Sequence, residues 1–458
     1  MDFSSANTGL WSAIIQLGII AATILGANVL RRKLPFVRKT LMPTAVLAGF
    51  VLLLLRNANL LDINAMFLEM ITYHGIAIGF IALSLRVPQI ETGGTTDRLT
   101  APKSGALIIS TYVVQGMMGL LVTLLLSYTI MPNMFQAAGI LLPMGFGQGP
   151  GQANNVGGMY EALGFLGGRS FGLSVAASGY LCACIVGVIY LNWLVSKDKV
   201  KMHQYEEVEE LVTIEKFQDQ NEIPIAESID RFSVQFALVL IVYLLTYLAI
   251  HGLSSLVGAV APGLSSTLDP LLWGFNFIVG ALMAILVRVV ISGLRKSRMM
   301  TRQYQNNYLL SRISGLAFDV MIVAGIASID ITDLSGLWIP FILLSIAGGL
   351  GTFFWVKWIC KKLYPSYFYE GMISMYGMLT GTISSGVLLL REIDPDFETP
   401  AANNLLTGSS FAIVMGAPML LLIGLAPVST RMTFITLGLL VVYLIPLLLF
   451  IFRVKAKR

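Results

Sequence analysis

Runs of apolar residues, broken by short basic or glycine-rich stretches, recur along the whole chain. A hydrocarbon core of about 30 Å takes about 20 apolar residues of α-helix. On that measure the pattern predicts eleven spans, near 9–30, 41–55, 66–85, 105–127, 171–194, 233–251, 271–294, 309–328, 337–358, 402–425 and 432–452. Two further apolar stretches, 136–165 and 366–390, are interrupted by glycine and polar residues and do not read as simple spans. Met1 to Thr8 holds no Lys or Arg, and the basic cluster Arg31, Arg32, Lys33 follows the first apolar run instead of preceding it. That run therefore reads as a membrane helix with its N-terminus outside, not as a signal peptide.

Composition sharpens the class. Of 458 residues, 56% are apolar and only 12% charged, about half the charged share of a soluble domain. With a mean hydropathy of +0.78, this excludes a soluble globular enzyme, a disordered chain and a disulfide scaffold. The three cysteines, Cys182, Cys184 and Cys360, read as small buried thiols in apolar runs. The net charge of +5 is scattered between apolar segments, so it is no nucleic-acid footprint.

Where the charges fall sets orientation. With the N-terminus outside, all but four of the 30 basic residues lie on the cytoplasmic side; the exceptions are Arg56, Arg169, Arg431 and the intraspan Arg288. The bias holds only if 136–165 and 366–390 each enter and leave by one face. Both are therefore predicted to be re-entrant hairpins, the first from outside and the second from the cytoplasm. Segment 196–232, which carries ten of the 25 acidic residues, reads as a cytoplasmic linker.

The linker divides the chain into an N-terminal repeat, 1–195, and a C-terminal repeat, 233–425, with an extra helix and basic tail over 426–458. Glu69 is followed by Gly75-Ile76-Ala77, and Asp319 at the same spacing by Gly325-Ile326-Ala327. Gly49 leads a run to Arg56, and Gly280 a similar run to Arg288. Gly145, Gly149 and Glu161 are spaced nearly as Gly377, Gly381 and Glu392. The expected fold is thus an all-α polytopic membrane protein. It has two inverted-topology repeats of five transmembrane helices, each with a re-entrant hairpin, and one extra C-terminal helix. Inverted repeats with interrupted segments at matching positions are the pattern of secondary transporters.

The hairpins carry the candidate chemistry. The first holds Gly147, Gln148, Gly149, Gln152, Asn154 and Asn155; the second holds Thr380, Gly381, Thr382, Ser384 and Ser385 and ends in Arg391. A helix broken at membrane depth exposes N–H groups suited to an anion and carbonyls suited to a small cation. Small residues also serve close helix packing, but packing alone does not call for so many amides and hydroxyls in two matching places. Glu69 and Asp319 are the acidic residues deep in continuous spans, read either as coupling sites or as scaffold caps. Arg391 suits a substrate carboxylate or a cytoplasmic anchor equally. Asn403 and Asn404 open the tenth span just after the second hairpin. Of the histidines, His74 reads as a core or cavity residue; no nucleophile–base or metal-ligand spacing emerges with His203 and His251, so no enzyme is expected.

With these loops in place the sequence resembles the bacterial glutamate:sodium symporter family. Gly147-Gln148-Gly149-Pro150 stands where that family shows Gly-His-Gly-Thr, and Gly377 to Ser385 where it shows a Thr-rich loop. The resemblance implies Na⁺-coupled uptake of glutamate or a similar small carboxylate, with no other cofactor. It also implies a homodimer, an elevator-like movement, and a multi-pass place in the bacterial inner membrane with the C-terminus cytoplasmic. The related 2-hydroxycarboxylate transporters share the architecture, so H⁺- or Na⁺-coupled transport of di- and tricarboxylates is the alternative. A channel is a remote one.

Overall fold

In hydrocarbon a helix satisfies its own backbone, so apolar runs have little choice of structure. The computed structural model describes residues 8–39, 41–87, 99–200, 225–260, 269, 272–300, 304–394 and 398–454. Most of the acidic linker, 201–224 with His203, and the tail from 455 lie outside the described residues.

In chain order the first helices are α1 (Thr8–Lys33), α2 (Thr44–Asn57), α3 (Ala65–Leu85), α4 (Thr100–Tyr128), α5 (Pro150–Ala162), α6 (Gly168–Ser196), α7 (Ile225–Val260) and α8 (Asn276–Lys296). They are followed by α9 (Asn307–Ala327), α10 (Trp338–Leu363), α11 (Phe368–Thr380), α12 (Ile383–Arg391), α13 (Ala401–Met415), α14 (Ala417–Leu425) and α15 (Thr430–Arg453). Among the described residues there is no strand. Nine of these helices are long and apolar enough to cross a membrane, as in a membrane-embedded polytopic protein. All eleven predicted spans are helical, but two fall short of a straight crossing. The span expected at 41–55 is the 14-residue α2, about 21 Å long at 1.5 Å per residue. The span expected at 402–425 is α13 and α14, bent by 55° at Gly416, where Pro418 removes a backbone donor from the first turn of α14.

The chain forms two compact units. One comprises Met1–Tyr73, Thr95–Met202 and Asp319–Arg458. Its axis is α4, largely buried, against which α10, α13 and α15 pack. Close approach depends on glycine: a Cβ on Gly105 would lie 3.0 Å from the Gly408 carbonyl oxygen, and one on Gly408 2.8 Å from the Ser104 Cβ. The other unit comprises His74–Gly94 and His203–Phe318. Its core is Ile81, Ala82 and Leu85 against Val239, Val242, Ala284, Leu310 and Ile313. In the same unit His74 Nδ1 and the Tyr243 hydroxyl share a 2.6 Å hydrogen bond.

Helix ends leave backbone groups unpaired, and here long-range side chains meet them. The Asn64 N–H, just before α3, donates to Gln16 Oε1 at 2.9 Å; the Asn306 N–H, just before α9, donates to Gln235 Oε1 at 3.1 Å. At the other ends, Arg56 Nη1 donates to the Ala327 carbonyl at 2.9 Å, and Arg288 Nη1 to the Ser84 and Arg86 carbonyls at 3.0 and 2.8 Å. Both α3 and α9 have 21 residues, and Glu69 is the fifth of α3 whereas Asp319 is the thirteenth of α9. The two carboxylates matched by their Gly-Ile-Ala triplets therefore stand at different depths along their helices. Short sequence triplets do not fix helix register; the end contacts do.

Arg288→Ala should leave the Ser84 and Arg86 carbonyls without this donor and cost about 1–3 kcal/mol. Thermal unfolding of the full chain in detergent should show a lowered midpoint, with Arg288→Lys intermediate.

Candidate functional site

Two short helices begin at glycine- and hydroxyl-bearing breaks. A π-helical turn, Pro143–Gly147, ends at Gln148 and is followed by Gly149, whose φ of +88° favours glycine; α5 starts at Pro150. In the second break α11 ends at Thr380, Gly381 and extended Thr382 follow, and α12 starts at Ile383. Neither N-cap residue, Gly149 or Thr382, supplies a side-chain cap. The first helical bonds run from the Ala153 N–H to the Gly149 carbonyl and from the Gly386 N–H to the Thr382 carbonyl. The preceding N–H groups belong to the positive ends of the two helix dipoles.

These breaks meet. A Cβ on Gly149 would lie 3.5 Å from the Tyr180 hydroxyl and 3.9 Å from Thr382 Cγ2. Neither the Tyr180 hydroxyl nor Thr382 Oγ1 has a hydrogen-bond partner among the described residues. A Cβ on Gly179 would run into the Thr380 carbonyl oxygen. From α4, Tyr112 donates to the Gly147 carbonyl at 2.8 Å, and Gln115 Nε2 donates to the Leu379 carbonyl at 2.9 Å and to Thr352 Oγ1 at 2.8 Å. A Cβ on Gly147 would lie 3.1 Å from Gln115 Oε1, so one carboxamide stands against both breaks.

The polar groups gathered here are short of partners. Gln152 is 0% exposed, and neither Oε1 nor Nε2 has a hydrogen-bond partner among the described residues. The same holds for Gln115 Oε1, Asn154 Oδ1 and Ser385 Oγ, on side chains that are 0%, 5% and 3% exposed. Buried polar atoms are nearly always paired, so their concentration at two adjoining helix breaks marks the candidate site. Asn155 and Thr380 are buried beside them, Thr380 donating to the Tyr376 carbonyl at 2.8 Å. Gln148 and Thr382 are half-buried, and Ser384 is exposed.

Other predicted residues stand elsewhere. Arg391 is exposed at the far end of α12, about 12 Å from Ile383 along the helix. Asn403 is exposed, and Asn404 Nδ2 donates at 2.8 Å to the hydroxyl of Tyr367, which precedes α11 at the end opposite Thr380. Glu69 forms an ion pair with Arg169, whose Nε lies 3.3 Å from Glu161 Oε2 and whose N–H donates to Glu161 Oε1 at 2.9 Å. Arg169 thereby clasps the C-terminal end of α5 to the start of α6 and to α3. Asp319 is exposed and has no ion-pair partner among the described residues.

Near the same clasp, Ser170 Oγ donates to Asp333 Oδ2 at 2.8 Å and accepts the Asp330 N–H at 3.2 Å. The hydroxyl and then the backbone N–H of Thr332 hold the Asp330 carboxyl below the ordinary carboxylate range. An open cavity of about 860 Å³ is lined by Phe135, Phe165, Gly167, Asp333, Pro427 and Thr433, among others, and includes none of the break residues. No group of three or more metal-ligating side chains occurs among the described residues.

Tyr112, Gln115, Tyr180 and Arg169 escaped the sequence reading. Gln115 carried a signal, as a lone carboxamide in an apolar span, and Arg169 another, as an exception to the basic bias. The tyrosines carried none. No protein-family model matches the chain, and no curated protein matches it.

Gly179→Val should overpack the contact with the Thr380 carbonyl, costing about 1–3 kcal/mol. Gly18→Ala, where a Cβ would meet nothing within 4 Å, should leave the unfolding midpoint in detergent unchanged or slightly raised.

Proposed function

We propose that this protein is a secondary active transporter, a Na⁺-coupled symporter of glutamate or a similar small carboxylate, and not an enzyme. The observation that carries the reading is the meeting of two helix N-termini, at Gly149 and Thr382, around buried amides and hydroxyls without partners. Two positive dipole ends and free N–H groups suit a carboxylate. The oxygens of Asn154, Thr382 and Ser385 and nearby backbone carbonyls suit Na⁺, with Gln152 able to donate as well as accept.

The inverted-repeat architecture is part of the proposal. Gln16 and Gln235 serve the starts of α3 and α9, while Arg56 and Arg288 serve the ends of α9 and α3. Residues 1–195 and 233–425 exchanging the same service in this way is what a two-fold relation predicts, with 426–458 as an addition. In this reading the breaks are the tips of two re-entrant hairpins entering from opposite faces. Two related halves supply the outward and inward states by exchanging conformations.

Glu69, held by Arg169, takes a scaffolding role. Gly147, Gln148, Gly149, Gln152, Asn154, Thr380, Gly381 and Thr382 contact the substrate, and Asn155 and Ser385 the ion; Ser384, Arg391, Asn403 and Asn404 lie at the periphery. The protein acts as a homodimer in a bacterial inner membrane, N-terminus outside and C-terminus cytoplasmic.

Proteoliposomes tested with labelled glutamate should accumulate it under an inward Na⁺ gradient. Uptake indifferent to Na⁺, or no uptake of glutamate or of a dicarboxylate panel, overturns the proposal. Uptake driven by a pH gradient would move coupling to H⁺. Gly381→Val, whose Cβ would crowd Ser385 Oγ at 2.7 Å, should abolish uptake while the protein still inserts.

A further inference from the structure

A tyrosine buried in a protein core usually has its hydroxyl paired. Four tyrosines among the described residues are at most 1% exposed: Tyr160, Tyr180, Tyr364 and Tyr376. Three of the hydroxyls have partners. Tyr160 donates to the Ile423 carbonyl at 2.9 Å, Tyr364 shares a 2.7 Å hydrogen bond with Ser104 Oγ, and Tyr376 donates to the Gly349 carbonyl at 3.4 Å. The Tyr180 hydroxyl has none among the described residues. Phenylalanine would serve packing better there, so the hydroxyl calls for another reason. Its position supplies one. The point that a Cβ on Gly149 would occupy lies 3.5 Å from this oxygen, and Gly149 is the N-cap of α5. The neighbouring Gly179 touches both breaks: a Cβ there would lie 3.2 Å from Phe146 Cδ2, in the first, and run into the Thr380 carbonyl oxygen of the second. Gly179 and Tyr180 of α6 thus bring a rigid element against both breaks, with a spare hydroxyl at the bare start of α5.

We propose that Tyr180 is a substrate-binding residue whose phenolic O–H donates to a carboxylate oxygen of the ligand. The inference rests on the tip site proposed above and adds to it a donor from outside both breaks. The division of donors and acceptors assigns this hydroxyl to the anion. Gln115 Nε2 is spent on the Leu379 carbonyl and Thr352 Oγ1, which leaves its unpartnered Oε1 able only to accept. Asn154 Oδ1 is a second unpartnered amide oxygen. Such oxygens suit the cation. The positive end of the α5 dipole, where the Tyr180 hydroxyl lies, suits the anion. A donor facing an ionised acceptor also makes the stronger, charge-assisted hydrogen bond. In the protein alone the hydroxyl makes no bond to lose; with a carboxylate bound it makes one. Its removal therefore acts differently on stability and on affinity.

Purified full-length Tyr180→Phe is compared with wild type in detergent by thermal unfolding and by calorimetric titration in Na⁺ buffer. The titrant is whichever of glutamate, aspartate, glutarate and succinate wild type binds most tightly. The unliganded midpoint should be unchanged or raised. The dissociation constant should rise at least about tenfold, a loss of about 1.4 kcal/mol. Stabilisation by NaCl over choline chloride, with no carboxylate present, should be kept. Tyr160→Phe, which removes a partnered hydroxyl, should do the reverse, lowering the midpoint and leaving affinity unchanged. Affinity within about threefold of wild type in Tyr180→Phe overturns the inference, and so does a lowered unliganded midpoint, the mark of a structural bond. Lost stabilisation by Na⁺ assigns the hydroxyl to the cation and overturns it likewise. Gly381→Val, run in parallel, should lose carboxylate binding. Binding kept in that variant, or a wild type that binds none of the four, overturns the tip site and this inference with it. Binding lost there but kept in Tyr180→Phe overturns this inference alone.

Discussion

Every helix end in an apolar surrounding poses one problem: its terminal N–H and C=O groups need partners, at several kcal/mol each if none is found. This molecule answers it in two ways. At the ends of α3 and α9 the partners are side chains from distant helices, Gln16, Gln235, Arg56 and Arg288. At the starts of α5 and α12 no side-chain cap is supplied, and unpartnered amides and hydroxyls gather beside the bare ends. Most other helix starts lack a side-chain cap too, so the unpartnered side chains beside α5 and α12 are what set these two ends apart.

The helix α4 joins the two kinds of end. Its outer surface packs glycine to glycine against α13, while Tyr112 and Gln115 reach the carbonyls that the two breaks leave. A single Gln holding Leu379 and touching Gly147 makes the position of one break depend on the other. In the proposed transport cycle the two tips therefore travel with α4 as one body, which is what carrying a ligand intact requires.

Much of this was legible beforehand, and unevenly. The apolar runs gave element positions because hydrocarbon allows helix and little else, and all eleven predicted spans are helical. Their lengths were less readable: α2 is short, and Gly416 with Pro418 bends α13 against α14. Polar residues inside glycine-rich stretches marked the places where Gly149 and Thr382 interrupt helices, since a broken helix needs both the flexibility and the partners. Sequence adjacency misled for Asn404 and Arg391, which are near the second break in the chain but at the far ends of helices from it. Tyr180 and Tyr112 were invisible because an aromatic in an apolar run has no distinguishing mark until its hydroxyl is seen to point at something. Glu69 and Asp319, matched by neighbouring triplets, stand fifth and thirteenth in helices of equal length, an offset the triplets could not show.

The capping arginines also order events in time. Arg56 is already made when α9 emerges, so the carbonyl of Ala327 finds its donor at once. The carbonyls at the end of α3 must await Arg288, 202 residues after Arg86. At 5–20 residues per second of synthesis the interval is on the order of ten seconds or more. Throughout it the first half sits in the bilayer with an end whose carbonyls only water or the insertion machinery can serve. The end of α3 is thus completed late in synthesis, once Arg288 of α8 and Asn307 of α9, whose Nδ2 donates to the Val87 carbonyl at 2.8 Å, have both been made.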